Sequence, residues 1–284
     1  MTLLDDGSYA ILPSKDGCFL MKLSGEYESI RLFHDVEVNP FLVQVVPTNG
    51  PLLLLCAYAS FCSLWELSFS SNTFASTIKQ SYYGFQDRIC CSRYLRKDVS
   101  IHCLVDVQKD CFIIGEFGGY LHLQYYNQKQ PSACLSVQEI EKQAGMKSFN
   151  LRWREIRHIS FDHTFNENLF AIMTAELCCV YDITNPTTPI SILTVHNCLV
   201  PIKKSNVVVQ FHSFAFCGNG QMLVITDKDV FRWDYFHSDG KTQTLSSVYH
   251  QSNKSSFRRI SFKPNGNLIG TNESCLDTPS FLTF

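Results

Sequence analysis

Gln221-Met222-Leu223-Val224-Ile225-Thr226, Asp227-Lys228-Asp229, Val230-Phe231-Arg232-Trp233-Asp234-Tyr235: two apolar runs flank a short charged turn. Runs this short, rich in β-branched and aromatic residues, suit pleated strands better than core helices. Strand, tight turn and strand make a β-hairpin. Just upstream, Phe211-His212-Ser213-Phe214-Ala215-Phe216 reads as a further strand, separated from the hairpin by Gly218-Asn219-Gly220. Gly and Asn tolerate the positive φ that a tight reversal needs.

The same order recurs along the chain. Arg157-His158-Ile159-Ser160-Phe161-Asp162 precedes Asn168-Leu169-Phe170-Ala171-Ile172-Met173, which leads to Cys178-Cys179-Val180-Tyr181-Asp182-Ile183. Pro51 to Tyr58 leads through Ser60 to Leu64-Trp65-Glu66-Leu67. Fainter hairpins run from Tyr9–Leu12 to Cys18–Met21, and from Cys111–Ile114 through Gly118-Gly119 to Tyr120–Leu123. Near the C-terminus, Arg258-Arg259-Ile260-Ser261-Phe262 followed by Pro264-Asn265-Gly266 and Leu268 repeats the upstream strand. One supersecondary unit copied along a chain is the mark of a repeat architecture.

The apolar-x-Phe strand followed by Asn or Pro with Gly resembles the first two strands of a WD-repeat blade. The dipeptides Trp65-Glu66, Tyr181-Asp182 and Trp233-Asp234 resemble the Trp-Asp signature closing the third strand. This resemblance implies an all-β chain, a β-propeller of five to seven WD40-like blades. The Gly-His half of the signature is absent, and the three anchors do not keep the period of about 40–45 residues typical of such repeats. Long insertions between blades follow. The last copy fades at Asn272-Glu273-Ser274-Cys275, so either the N-terminal strands complete it or residues 1–284, read as one domain, belong to a larger or open propeller. Ser136-Val137-Gln138-Glu139 reads as a capping box, with Val137, Ile140 and Ala144 on one face and a stop near Gly145. It predicts one inserted helix of about three turns. Asn185–Pro189 and Gln251–Ser256 read as polar loops.

Composition agrees with a folded β chain. Of 284 residues, 45% are hydrophobic and 18% charged, and 22 Phe and 12 Tyr supply most of the aromatics. Such a chain can bury a core and does not have a disordered composition. The net charge of −2 gives no global attraction to nucleic acid or acidic lipid. Met1–Gly7 lacks a basic leader segment, and the longest apolar run, Pro51–Ala59, is too short to span a bilayer. The expectation is a soluble protein of nucleus or cytoplasm, not secreted and without a membrane partner. Thirteen cysteines make an odd number, mostly within apolar runs, as buried free thiols would be. No Cys-x-x-Cys or His-x-x-x-His pair offers metal ligands at chelating spacing, so neither a metal nor another cofactor is expected.

No phosphate-binding loop, nucleophile elbow or dinucleotide fingerprint occurs. Asp106, Asp162, His163 and Asp229 are the first suspects for a propeller-type hydrolase, but no spacing links them. His158 and His212 hold equivalent positions in two repeats and read as structural. The strongest candidate for partner binding is Arg152, Trp153, Arg154 and Arg157, because Arg and Trp are enriched at binding hot spots. Arg93 with Arg96-Lys97, Lys203-Lys204 and Arg258-Arg259 add small basic clusters that would serve nucleic acid if they shared a face.

Trp153-Arg154-Glu155-Ile156, followed by the hairpin ending at Tyr181-Asp182-Ile183, resembles the propeller subunit of the RNA polymerase I core (selectivity) factor. That resemblance implies a nuclear transcription scaffold. The leading expectation is thus a non-catalytic scaffold within a nuclear multi-protein complex, partnered by other subunits. A nucleic-acid-binding propeller is the second reading and a hydrolase the third.

Overall fold

A computed structural model of the chain describes residues 2–3, 9–14, 17–23, 29–33, 40, 42–58, 61–70, 73–83, 105–116, 119–146, 156–198, 210–226, 229–237, 244–250, 257–262, 268–272 and 282–283. Among these, six separate sheets follow one another along the chain. The first contains β1 (Thr2–Leu3), β2 (Tyr9–Ser14), β3 (Gly17–Lys22) and β4 (Ser29–Leu32). The second contains β5 (Leu42–Val46), β6 (Leu52–Ala57), β7 (Cys62–Ser70) and β8 (Thr73–Tyr82). The third contains β9 (Val105–Val107), β10 (Cys111–Gly115), β11 (Tyr120–Tyr125) and β12 (Ala133–Ser136). The fourth contains β13 (His158–Phe161), β14 (Leu169–Met173), β15 (Leu177–Asp182) and β16 (Ser191–Thr194). The fifth contains β17 (Phe211–Gly218), β18 (Gln221–Thr226), β19 (Asp229–Asp234) and β20 (Thr244–His250). The sixth has three strands, β21 (Phe257–Phe262), β22 (Leu268–Asn272) and β23 (Leu282–Thr283).

Every sheet is a meander in which chain neighbours are sheet neighbours. Short connections enforce this, since a few residues can join only antiparallel strands. The fold class is therefore all-β, built of repeated blade-like sheets. The quoted hairpin forms as read: Gln221 pairs with Asp234 and Ile225 with Val230. Gly218, Asn219 and Gly220 all take positive φ, at 82°, 54° and 72°. The expectation that the N-terminal strands might complete the last blade is corrected, because β1 pairs with β2 in a four-stranded sheet of its own. Trp65-Glu66 also does not close its strand. Pairing continues through Ser70 to a hairpin at Ser70 and Thr73, because Leu67 and the residues after it still find partners on β8.

The strands group into two compact units, the first ending at Cys134 within β12 and the second beginning at Leu135. In the first unit, β6 is buried on both faces. Leu54 and Cys56 pack with Ile11, Leu20, Tyr58 and Trp65, whereas Leu55 and Ala57 pack with Tyr82, Val105, Phe112 and Ile114. Alternate side chains point to opposite faces, so a strand covered on both sides must be apolar throughout. That is why Leu52–Ala57 reads as an unbroken apolar run. In the second unit, Ala171, Met173, Cys178 and Val180 from the fourth sheet share a core with Phe214, Met222, Val224 and Trp233 from the fifth.

The inserted helix α1 spans Val137–Gln143, about two turns at 3.6 residues each and shorter than expected. Ser136 makes no side-chain cap, because it is the last residue of β12 and keeps the extended angles φ −106°, ψ 129°. The stop is as read. Gly145 takes φ 69°, its N–H reaches Lys142 O and the Met146 N–H reaches Glu141 O. These two bonds satisfy the orphan carbonyls of the last turn. A single further turn, α2 (Val195–Cys198), follows β16 and was not expected.

Candidate interaction surface

Of the four residues read as a partner-binding group, Arg152, Trp153 and Arg154 lie outside the described residues. Arg157 is described and is 8% exposed. Its N–H donates to Met173 O at 2.7 Å, continuing the β13–β14 ladder by one residue. Its Nη1 donates to Phe211 O at 2.8 Å and its Nη2 to Gln210 Oε1 at 2.9 Å. The guanidinium fork thus fixes the start of β17 from the start of β13. Its role toward a partner is indirect: it sets where the preceding residues leave the sheet.

His158 also bridges the two sheets. Its Nδ1 accepts the Phe214 N–H at 3.3 Å and lies 3.3 Å from Ser213 Oγ, with the ring 4.3 Å from that of Phe214. His212 is buried where the β17–β18 register shifts between Phe211 and Ser213. The structural reading of His158 fits this geometry.

The hydrolase suspects do not assemble. Asp106 accepts the Val107 N–H on β9, in the first unit. Asp229, in the second unit, is tied through its backbone to the Thr226 hydroxyl. Asp162 is fully buried and holds a turn, as described below. A buried Glu116–His122 pair at 2.6 Å joins Glu116, just past the end of β10, to β11. Among the described residues, no three His, Cys, Asp or Glu side chains cluster as metal ligands. No described helix is long and apolar enough to cross a membrane.

What sequence reading missed is an exposed aromatic ledge at one end of the fourth and fifth sheets. Leu169 pairs with Asp182 and Gln221 with Asp234, so the turn 162–168, residues 183–190, the turn at Asn219 and the residues after Asp234 share that end. There Phe165 and Phe236 meet edge to face, ring centres 5.5 Å apart and planes at 77°. They remain 45% and 52% exposed. Large aromatic rings left in water at adjoining positions commonly mark contact sites.

The ledge is held from beneath. Asp162 Oδ1 accepts the Thr164 N–H at 3.0 Å, the Thr164 hydroxyl at 2.7 Å and the Phe165 N–H at 3.0 Å. Its Oδ2 accepts the Tyr235 hydroxyl at 2.7 Å. Burial first, then this carboxylate, push the Tyr235 phenol well above its usual range. On the other side, the Tyr235 and Phe236 N–H groups both donate to Gly220 O, at 3.1 and 3.3 Å. A Cβ on Gly220 would fall onto Phe236 Cβ, so only glycine allows the ring this position. Asp182 caps Thr184, and Asp234 receives His237.

With the fold and this end described, the chain can be placed in a class: its fold is that of WD40-repeat propeller proteins. It is similar to the crystallised WD40 repeats of RRP9, with a TM-score of 0.61 at 12% identity over 98% of this chain and 74% of that one. It is also similar to the structure of U3-55K, with a TM-score of 0.59 at 11% identity over 96% of this chain and 72% of that one. No protein-family model matches the sequence, and no curated relative does.

Proposed function

We propose that this protein is a non-catalytic interaction scaffold, a subunit of a nuclear multi-protein complex concerned with transcription or chromatin. One domain over residues 1–284 is part of the proposal, supported by likeness to a WD40 chain over 98% of this length. The observation that carries it is the ledge: Phe165 and Phe236 stand exposed on turns fastened by buried hydrogen bonds. A rigid apolar feature binds without a large ordering cost. Meanwhile the buried polar side chains Asp162, Arg157 and His158 are committed to holding sheets together and not to chemistry. Arg152, Trp153 and Arg154, brought off β13 at the point Arg157 fixes, form a second proposed contact. The nuclear assignment rests on the resemblance of Trp153–Ile156 to the polymerase I factor subunit.

Purification of the tagged chain from its own cells, followed by sizing, tests the proposal. Stoichiometric co-elution with other subunits from nuclear extract is the expected result. Elution as a lone monomer from that extract would remove the proposal.

A further inference from the structure

We infer that the Phe165–Phe236 ledge docks a basic segment of a partner protein, an extended stretch alternating Arg or Lys with apolar side chains. This rests on the scaffold reading and specifies its partner chemistry. The argument is charge complementarity around an apolar centre. The end of the sheets formed by residues 162–168, 182–190, 218–221 and 234–237 carries Asp162, Glu167, Asp182 and Asp234. These residues contain no Lys or Arg. The chain as a whole is close to neutral at −2, so this local imbalance does not simply follow the average composition.

Geometry makes the imbalance usable. Asp162 lies beneath the ledge with its carboxylate bonded to Thr164, Phe165 and Tyr235, which orients the charge without cancelling it. Glu167 is exposed on the same turn as Phe165, and Asp182 and Asp234 are half-buried at the strand ends on either side. An apolar side chain can cover the exposed ring faces while flanking cations meet the carboxylates. A guanidinium over a Phe face adds about 0.5–1 kcal/mol at an exposed site. Nucleic acid does not fit this end, because its phosphates would face carboxylates with no cation between them.

Fluorescence anisotropy on the intact chain tests the inference with three short labelled peptides: alternating Arg and Leu, alternating Glu and Leu, and alternating Arg and Ser. The Arg-Leu peptide should bind and the other two should bind at least roughly tenfold more weakly, since both charge and apolar anchor are needed. Phe165→Ser and, separately, Glu167→Lys should each weaken the Arg-Leu peptide; both positions are exposed, and an unchanged thermal melt confirms folding. Equal binding of the Glu-Leu peptide overturns the inference, as does unchanged affinity in folded Phe165→Ser. Concentration-dependent dimerisation abolished by Phe165→Ser would also overturn it, by assigning the ledge to a second copy. The two readings fail separately: subunits that co-purify while the peptide does not bind leave the scaffold standing and remove only this inference.

Discussion

Tyr235 donates its hydroxyl to Asp162 Oδ2 across 2.7 Å, joining residues 73 positions apart in the chain. The bond ties the residue after β19 to the turn after β13, beneath the exposed ledge. Replacing Tyr235 with Phe removes the donor but keeps the ring that packs near Phe216 and Trp233. A hydrogen bond to a charged group contributes about 1.5–3 kcal/mol, so urea denaturation should show a loss of that order. An unchanged midpoint would show that the bond does not stabilise the fold.

Arg157 offers a second, independent test. Its fork bonds both Phe211 O and Gln210 Oε1, and a lysine cannot reproduce two divergent planar donors. Arg157→Lys should destabilise by about 1–3 kcal/mol, with Arg157→Ala at least as severe. If Lys matched the wild type in denaturant, the fork geometry would be irrelevant.

Gly220 should tolerate no side chain. It has φ 72°, and an added Cβ would meet Phe236. Gly220→Ala combines left-handed strain with a clash, at a cost of about 1–3 kcal/mol. The same variant should displace Phe236, so a changed Phe236 ring signal in NMR would accompany the lower melting temperature.

Alkaline pH should unfold the protein through its buried thiols and phenols. Burial raises Cys18 from 9.0 to about 12 and Tyr58 from 10.0 to about 12. Half-buried Cys217 is raised to about 11, again mainly by burial. The folded state therefore keeps protons that the unfolded chain releases. This stabilisation is complete below about pH 9 and is lost as pH rises toward 11–12. Melting temperature should fall across that window. At neutral pH, iodoacetamide should label exposed Cys134 ahead of buried Cys56, Cys62, Cys178 and Cys179. Rapid labelling of the buried set in folded protein would contradict the packing described.

The hairpins were legible because their signals are local. Alternation, turn glycines and apolar runs lie within a few residues of one another, and the Gly218–Gly220 turn and the Gly145 helix stop formed where those signals stood. The cap at Ser136 did not form, because the residue was already committed to β12. Trp65-Glu66 misled for a similar reason: a dipeptide marks a strand end only if pairing stops there, and β8 continues the ladder to Ser70.

The functional surface was harder to read. Phe165 sits among Asp, His, Thr and Asn in an ordinary polar turn, and Phe236 ends a strand in an unremarkable Tyr-Phe-His run. Nothing in either segment announces the other. By itself, the sequence determined the all-β class, the succession of hairpins and the mostly apolar setting of the cysteines, since each follows from neighbours along the chain. Only tertiary structure decided which polar residues serve the interior and which rings face water. Arg157 turned inward because Phe211 O and Gln210 lay within its reach, and Phe165 and Phe236 met because Asp162 and Gly220 brought two distant turns together. Such contacts join positions more than fifty residues apart, where no local pattern in the chain can record them.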